Sequence, residues 1–325
     1  MLAGAAILSL GLVGCGGGTL SGSGKTEGTQ TDASGDGSLT KITVGILPIA
    51  PSVAVQQGVD NGIFEKHGLD VELSTSNAGA AMLPAVSTGE LAIAVGNPLS
   101  VMTAADKGLD MKIATGYSAS KSSGEDVNGV VVRKDSGIKS WKDLAGKTTS
   151  VNALRTQGDL TIMESAEMDG ADPQELKFSE MPFPDMEAQL DRGNVDAVWL
   201  PEPFLSRALA DKDNQLIGYP NQKAITGLPT MVTFTSGKFA EENPEVVADW
   251  KAAMAEVLTA AEKDPDAARA LLPSFMKMDA KVADGLLMET WNAETPLPQL
   301  TELGTLAAKF GFLEKAPDMN KLIIK

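Results

Sequence analysis

Acid–base or nucleophilic chemistry at neutral pH draws most often on His or Cys, and this chain holds one of each, His67 and Cys15. Any Ser–His–acid arrangement would have to run through His67, which lies in a turn between a helical pattern and a strand pattern. A single cysteine excludes an intramolecular disulfide and a thiolate zinc site, and no cluster of metal-ligating residues stands elsewhere. What remains is binding chemistry. Arg155 offers a planar fork that would hold a sulfonate or carboxylate through two hydrogen bonds. Glu202 accepts either from a ligand amine or from backbone at a hinge, and Tyr117 stacks on a ring or fills a cleft. Gly24-Lys25-Thr26 imitates the end of a phosphate-binding loop, but Thr19 stands where the leading Gly belongs and no strand precedes it. These residues predict a binder without cofactor or metal.

Residues of this kind need a scaffold, and one begins at Lys41. Strand patterns at Ile42–Ile46, Val71–Leu73, Leu91–Val95 and Met111–Ala114 alternate with helical patterns at Val53–Val59, Met82–Thr88 and Leu99–Lys107. The alternation restarts with strands at Val130–Val132, Thr149–Val151, Leu176–Phe178 and Ala197–Trp199. Helices at Asp159–Met168, Met186–Arg192 and Phe204–Ala210 separate them. Such spacing predicts right-handed βαβ units, mostly parallel sheets and two α/β lobes in series. After a strand at Met231–Thr235 the chain reads as helical. Asn243-Pro244 starts one helix with an Asn cap, and Asp264-Pro265 starts the next. Trp250, Ala253, Met254, Val257, Leu258 and Ala261 form an apolar stripe and read as core.

Open α/β sheets bind ligands beyond the carboxyl ends of their strands, where helix N-termini present free N–H groups. That rule selects Pro48, Ala50 and Ser52 after the first strand, then Asn77, Gly79 and Ala80 after the second. Asn97 and Leu99 follow the third, and Tyr117 follows the fourth. The facing lobe contributes Asn152, Arg155 and Thr156, then Phe183, then Glu202 and Phe204.

The remaining features bound compartment and partners. A net charge of -16 over 325 residues, with no Lys/Arg cluster, excludes a nucleic-acid partner. Leu2–Val13 is apolar or small and too short to span a bilayer, which takes roughly 20 residues, so residues 1–14 read as a signal peptide. Leu12-Val13-Gly14-Cys15 resembles the lipobox of bacterial lipoproteins, which implies a lipid on Cys15 as membrane anchor. No Lys or Arg precedes the apolar run, a departure from the usual signal. Residues 15–40, rich in Gly, Ser, Thr and Asp, read as a flexible tether with a reach of roughly 25 to 30 Å.

Five segments in order resemble one family. They are Val44-Gly45-Ile46-Leu47-Pro48; the run Gly58 to Val71 containing Gly62-Ile63-Phe64-Glu65-Lys66-His67-Gly68-Leu69; Leu83 to Val95 with Gly89-Glu90-Leu91; Ser140 to Lys147; and Asp191 to Trp199 followed by Glu202-Pro203. Together they are similar to the solute-binding proteins for nitrate, sulfonates, taurine and thiamine pyrimidine precursors. The resemblance implies a periplasmic-binding-protein fold of type II, α/β, with two lobes joined by a two-strand hinge and a helical C-terminal region. Lobe one would combine 41–132 with 231–325, and lobe two would be 133–230. The implied function is to capture a small organic anion, a sulfonate or carboxylate, for the membrane permease of an ABC importer, as a lipid-anchored extracytoplasmic monomer. The alternatives are a binder of a thiamine-precursor pyrimidine, or an enzyme like the fungal thiamine-pyrimidine synthases. The synthases depend on an active-site histidine and a cysteine-rich stretch, which this chain does not match.

Overall fold

A computed structural model describes residues 38–325; the signal-peptide, Cys15 and most tether residues lie outside them. Among the described residues the strands are β1 (Thr40–Ile46), β2 (Leu69–Thr75), β3 (Ile93–Gly96), β4 (Met111–Ala119), β5 (Asn128–Arg133), β6 (Thr148–Val151), β7 (Lys177–Glu180), β8 (Ala197–Pro201), β9 (Asn214–Gly218), β10 (Pro229–Ser236) and β11 (Thr290–Trp291). They form two sheets, ordered β11-β4-β10-β3-β1-β2 and β7-β6-β8-β5-β9. Each sheet is the centre of one lobe.

Apart from an isolated parallel bridge between Ile113 and Ile323, parallel pairing falls within the βαβ units. β1 pairs in parallel with β2 and β3, and β6 with β7 and β8. β10 runs antiparallel to β3 and β4, and β5 antiparallel to β8 and β9, so both sheets are mixed where mostly parallel ones were expected. The reason is connectivity. A strand that enters a sheet from the other lobe arrives without a crossover helix and lies antiparallel. By its pairing β5 lies in the second sheet, and the expected lobe limit at residue 132 falls within this strand. The lobes are joined where β4 and β10, neighbours in the first sheet, run out side by side, with the Ser120 N–H donating to the Leu228 carbonyl at 2.8 Å.

The recognisable motifs build the scaffold. Phe64 stacks on Trp250 with ring centroids 5.2 Å apart, docking the Gly58–Val71 run on the helix Pro244–Lys263. A Cβ on Gly58 would meet Val257 at 2.5 Å, so the close approach of these helices demands glycine there. Ser140 and Asp143 close a reciprocal capping box at the start of Trp141–Leu144, and the Asp196 carboxylate accepts from the Thr148 N–H at 2.8 Å. Trp250, Met254, Val257, Leu258 and Ala261 are buried as the apolar stripe requires. Asn243 does not cap through its side chain, which donates instead to the Phe239 carbonyl at 3.1 Å. Among the described residues no helix is long and apolar enough to cross a membrane.

Candidate ligand cavity between the lobes

A cavity opens where the carboxyl ends of the two sheets face each other. It holds about 500 Å³ of space free of atoms, its mouth included. Lobe one contributes Leu47, Ile49 and Pro51 after β1, Gly79 after β2, Asn97 after β3, Thr230 and Met231 on β10, and Glu289 before β11. Lobe two contributes Asn128 on β5, Asn152 after β6, Gln157 opening the helix Gln157–Met168, Phe183 after β7, Trp199 and Pro201 on β8, and Asn221 after β9. No Lys or Arg is among these residues.

Local structure explains each placement. Asn97 caps the helix Pro98–Asp106, its side chain accepting from the Ser100 N–H at 2.9 Å. Gly79 lies so close to β3 that a Cβ would sit 3.0 Å from Gly96 Cα. Thr156 and Asp159 form a capping box that sets Gln157 in the first helical turn, facing the sheet ends. Gly158 lets that helix rest on Trp199, whose ring a Cβ there would meet at 2.8 Å. Phe183 packs on both Trp199 and Phe204, at 5.9 and 5.8 Å between centroids. Pro51 is held by two donors to its carbonyl, the Tyr117 hydroxyl at 2.8 Å and Trp291 Nε1 at 3.3 Å.

Three buried polar atoms on these walls have no partner: Gln157 Oε1, Trp199 Nε1 and Glu289 Oε1. Gln157 is oriented by its other end, with Nε2 donating to the Pro229 carbonyl at 2.9 Å, so an acceptor is left free. Glu289 Oε2 accepts from the Thr230 hydroxyl at 3.0 Å. Burial first, and then the nearby Asp126 carboxylate, push the Glu289 carboxyl up to about 8. Unpaired buried polar atoms cost about 1–3 kcal/mol each, and ligand sites are where native proteins tolerate them.

Of the residues expected from sequence, Gly79, Asn97, Asn152 and Phe183 line the cavity. The others lie elsewhere. Pro48 and Phe204 face an outer groove with Arg207, Met276 and Met278. Ala50 is buried and ties the lobes, its N–H donating to the Glu202 carbonyl at 3.1 Å. Ser52 and Leu99 are fully buried, Asn77 offers its carbonyl to Asn152 Nδ2 at 3.4 Å, and Ala80 is half-buried outside the lining. Tyr117 is buried behind Pro51 and does not line this cavity; burial holds its phenol well above the usual range. Thr156 is consumed by its cap. Glu202 accepts from the Ser206 hydroxyl at 2.7 Å and the Ser206 N–H at 3.1 Å, and so braces the next helix.

Arg155 departs furthest from expectation. Its backbone is left-handed at φ 55°, and its guanidinium lies 4.9 Å from the Phe312 ring centroid while donating to the Gly311 carbonyl. In this geometry Arg155 is not among the residues that line the cavity. His67 is also remote, its Nε2 3.0 Å from a Glu256 carboxylate oxygen. Leu47, Ile49, Pro51, Asn128, Gln157, Trp199, Pro201, Asn221, Thr230, Met231 and Glu289 complete the lining and were not among the selected residues.

Residues 54–268, about two thirds of the chain, match the model of the NMT1/THI5-like family, and the chain belongs to that family. Comparison with curated proteins finds no match. The structure is similar to the periplasmic aliphatic sulphonate-binding protein SsuA from Escherichia coli, at TM-score 0.70 and 18% identity over 88% of this chain and 98% of that one. It is similar to the alkanesulfonate-binding protein SsuA from Xanthomonas axonopodis pv. citri bound to MOPS, at TM-score 0.73 and 13% identity over 88% and 99%. The periplasmic nitrate-binding protein NrtA from Synechocystis PCC 6803 gives TM-score 0.72 and 13% identity over 88% and 86%. Together they show the fold, a two-lobed periplasmic-binding-protein architecture of type II.

Proposed function

We propose that this chain is the extracytoplasmic solute-binding component of an ABC importer. Its cavity takes a small planar nitrogen heterocycle, neutral or cationic, that presents N–H donors. The observation that carries this reading is the set of unpartnered atoms on the cavity walls. Two are acceptors, Gln157 Oε1 and Glu289 Oε1, and one is a donor, Trp199 Nε1. Phe183 and Trp199 supply flat apolar faces beside them. A thiamine-precursor pyrimidine belongs to this class. The cleft between two lobes suits capture by hinge closure and delivery to a membrane permease. The lipid on Cys15 would hold the protein, as a monomer, at the membrane surface.

A second reading has its own support. The helices beginning at Gly79, Pro98, Gln157 and Phe183 all start at the cavity and present N–H groups suited to a sulfonate or carboxylate. Against it stand the buried carboxyl of Glu289 and a lining without a cationic side chain. Catalysis of the pyrimidine-synthase kind lacks its histidine here, since His67 pairs with Glu256 away from the cavity.

A thermal-shift panel of aminopyrimidines, aryl amidines, alkyl and aryl sulfonates and nitrate tests the assignment. A ligand at 100 times its dissociation constant adds about 2.7 kcal/mol. Stabilisation by the nitrogen bases alone is expected. Stabilisation by sulfonates alone would select the second reading, and silence across the panel would remove both.

A further inference from the structure

We propose that Glu289 selects the charge of the captured solute: it holds a proton in the empty cavity and surrenders it to a basic nitrogen or, for a fixed cation, to solvent. This rests on the heterocycle reading of the cavity, and it assigns a specificity-determining role to a residue outside every motif.

The geometry is that of a carboxyl kept from water and short of partners. Glu289 is only 6% exposed. Its Oε2 ends a hydroxyl chain, accepting from Thr230, whose own oxygen lies 2.7 Å from Ser118 Oγ. Oε1 is unpartnered. The charged and titratable groups around it come from each packed element. Asp126, fully buried, accepts from the Ser120 hydroxyl and from the N–H groups of Lys121 and Val127. Lys121 on the same segment favours the ionised form more weakly than Asp126 opposes it. On β4 the Tyr117 phenol is turned to Pro51, and on the helix Pro244–Lys263 Glu262 accepts from the Trp291 N–H at 2.7 Å. None of these supplies a cation in contact with Glu289, so the proton is retained until a solute brings one.

The proton balance then depends on the solute. With a basic heterocycle, the Glu289 O–H bond breaks, an N–H bond forms on the ring nitrogen, and the ion pair stays in the cavity with no exchange with solvent. With a fixed cation such as an aryl amidinium, one proton leaves for solvent. With an anion the proton must remain, and affinity falls about tenfold per pH unit once the empty-state carboxyl ionises.

The test is carbon-13 NMR of the full chain labelled at the glutamate carboxyl, titrated from pH 5 to 10 beside Glu289→Gln. A resonance missing from the variant, still protonated at pH 7 and titrating near 8, is expected. Its titration below pH 6 would overturn the proposal. Should Glu289→Gln fail to fold, Asp126→Asn gives the assignment, because loss of that charge must move the same resonance to lower pH; an unmoved resonance also overturns it. Calorimetry with benzamidine at pH 7 in two buffers of different ionisation heat should count close to one released proton, and a count of zero on binding contradicts the proposal. Failure of the solute panel with the NMR result intact would remove the heterocycle reading and leave the held proton standing.

Discussion

Gln157 and Pro229 meet across the two lobes: the Gln157 side-chain N–H donates to the Pro229 carbonyl at 2.9 Å, at the foot of β10. One contact therefore joins the lobes and leaves Oε1 of the same amide without a partner. Gln157→Leu keeps the bulk and removes both roles. Solute affinity should fall ten- to a hundredfold by calorimetry, in line with about 1.5–3 kcal/mol for a buried polar contact. An affinity within threefold of the parent would remove Gln157 from the site.

Trp199 separates a ligand role from a packing role. Trp199→Phe keeps an aromatic face against Phe183 and deletes a buried N–H that has no partner in the empty protein. Stability by urea denaturation should stay within about 1 kcal/mol of the parent, because the lost packing is offset by relief of the unpaired donor. Solute affinity should fall at least fivefold. The reverse pattern, a large loss of stability with unchanged affinity, would make Trp199 a core residue only.

Arg155 is expected to be nearly silent in binding. It stacks on Phe312 outside the cavity, a contact worth about 1 kcal/mol or less at an exposed site. Arg155→Ala should change solute affinity less than threefold. A loss above thirtyfold for a sulfonate would restore the clamp expected from sequence.

Much of the scaffold was legible, and the reason is periodicity. Short apolar runs alternating with helical patterns mark β1 to β4 and β6 to β8, and the carboxyl-end rule then reaches Gly79, Asn97, Asn152 and Phe183. The rest depended on contacts distant in sequence. Arg155 is drawn away by Gly311 and Phe312, far along the chain in the C-terminal region. Glu289 sits in a C-terminal stretch that reads as helical core; its only signal is one acid following Leu286-Leu287-Met288. Gln157 had a clearer one, because the Thr156–Asp159 capping box puts it in the first turn of a helix that begins at a strand's carboxyl end. The five family segments say little about ligand contacts, since glycines, caps and the Phe64–Trp250 stack within or beside them do structural work.

Stability should carry the signature of Glu289. Its folded pKa of about 8 lies above the ordinary 4.5, so the folded state favours the protonated form. The contribution is fully present below pH 4.5 and is lost as pH rises through 8. Asp159, pushed by burial to about 6, adds a loss of the same sign at lower pH in parent and variant alike. Between pH 6 and 8 the parent should therefore lose about 2 kcal/mol more than Glu289→Gln, at up to 1.36 kcal/mol per pH unit. Denaturant titrations at the two pH values measure it, and parallel losses in both proteins would contradict it.

The most direct measurement is a crystal structure of the chain with the best-binding nitrogen heterocycle from the panel. The expected result is a ring lying against the cavity-facing sides of Phe183 and Trp199, with N–H groups within hydrogen-bond distance of Gln157 Oε1 and Glu289 Oε1. A solute seated in the outer groove of Met276 and Met278, or bound only through an anionic group at the helix N-termini of Gly79 and Pro98, would contradict it.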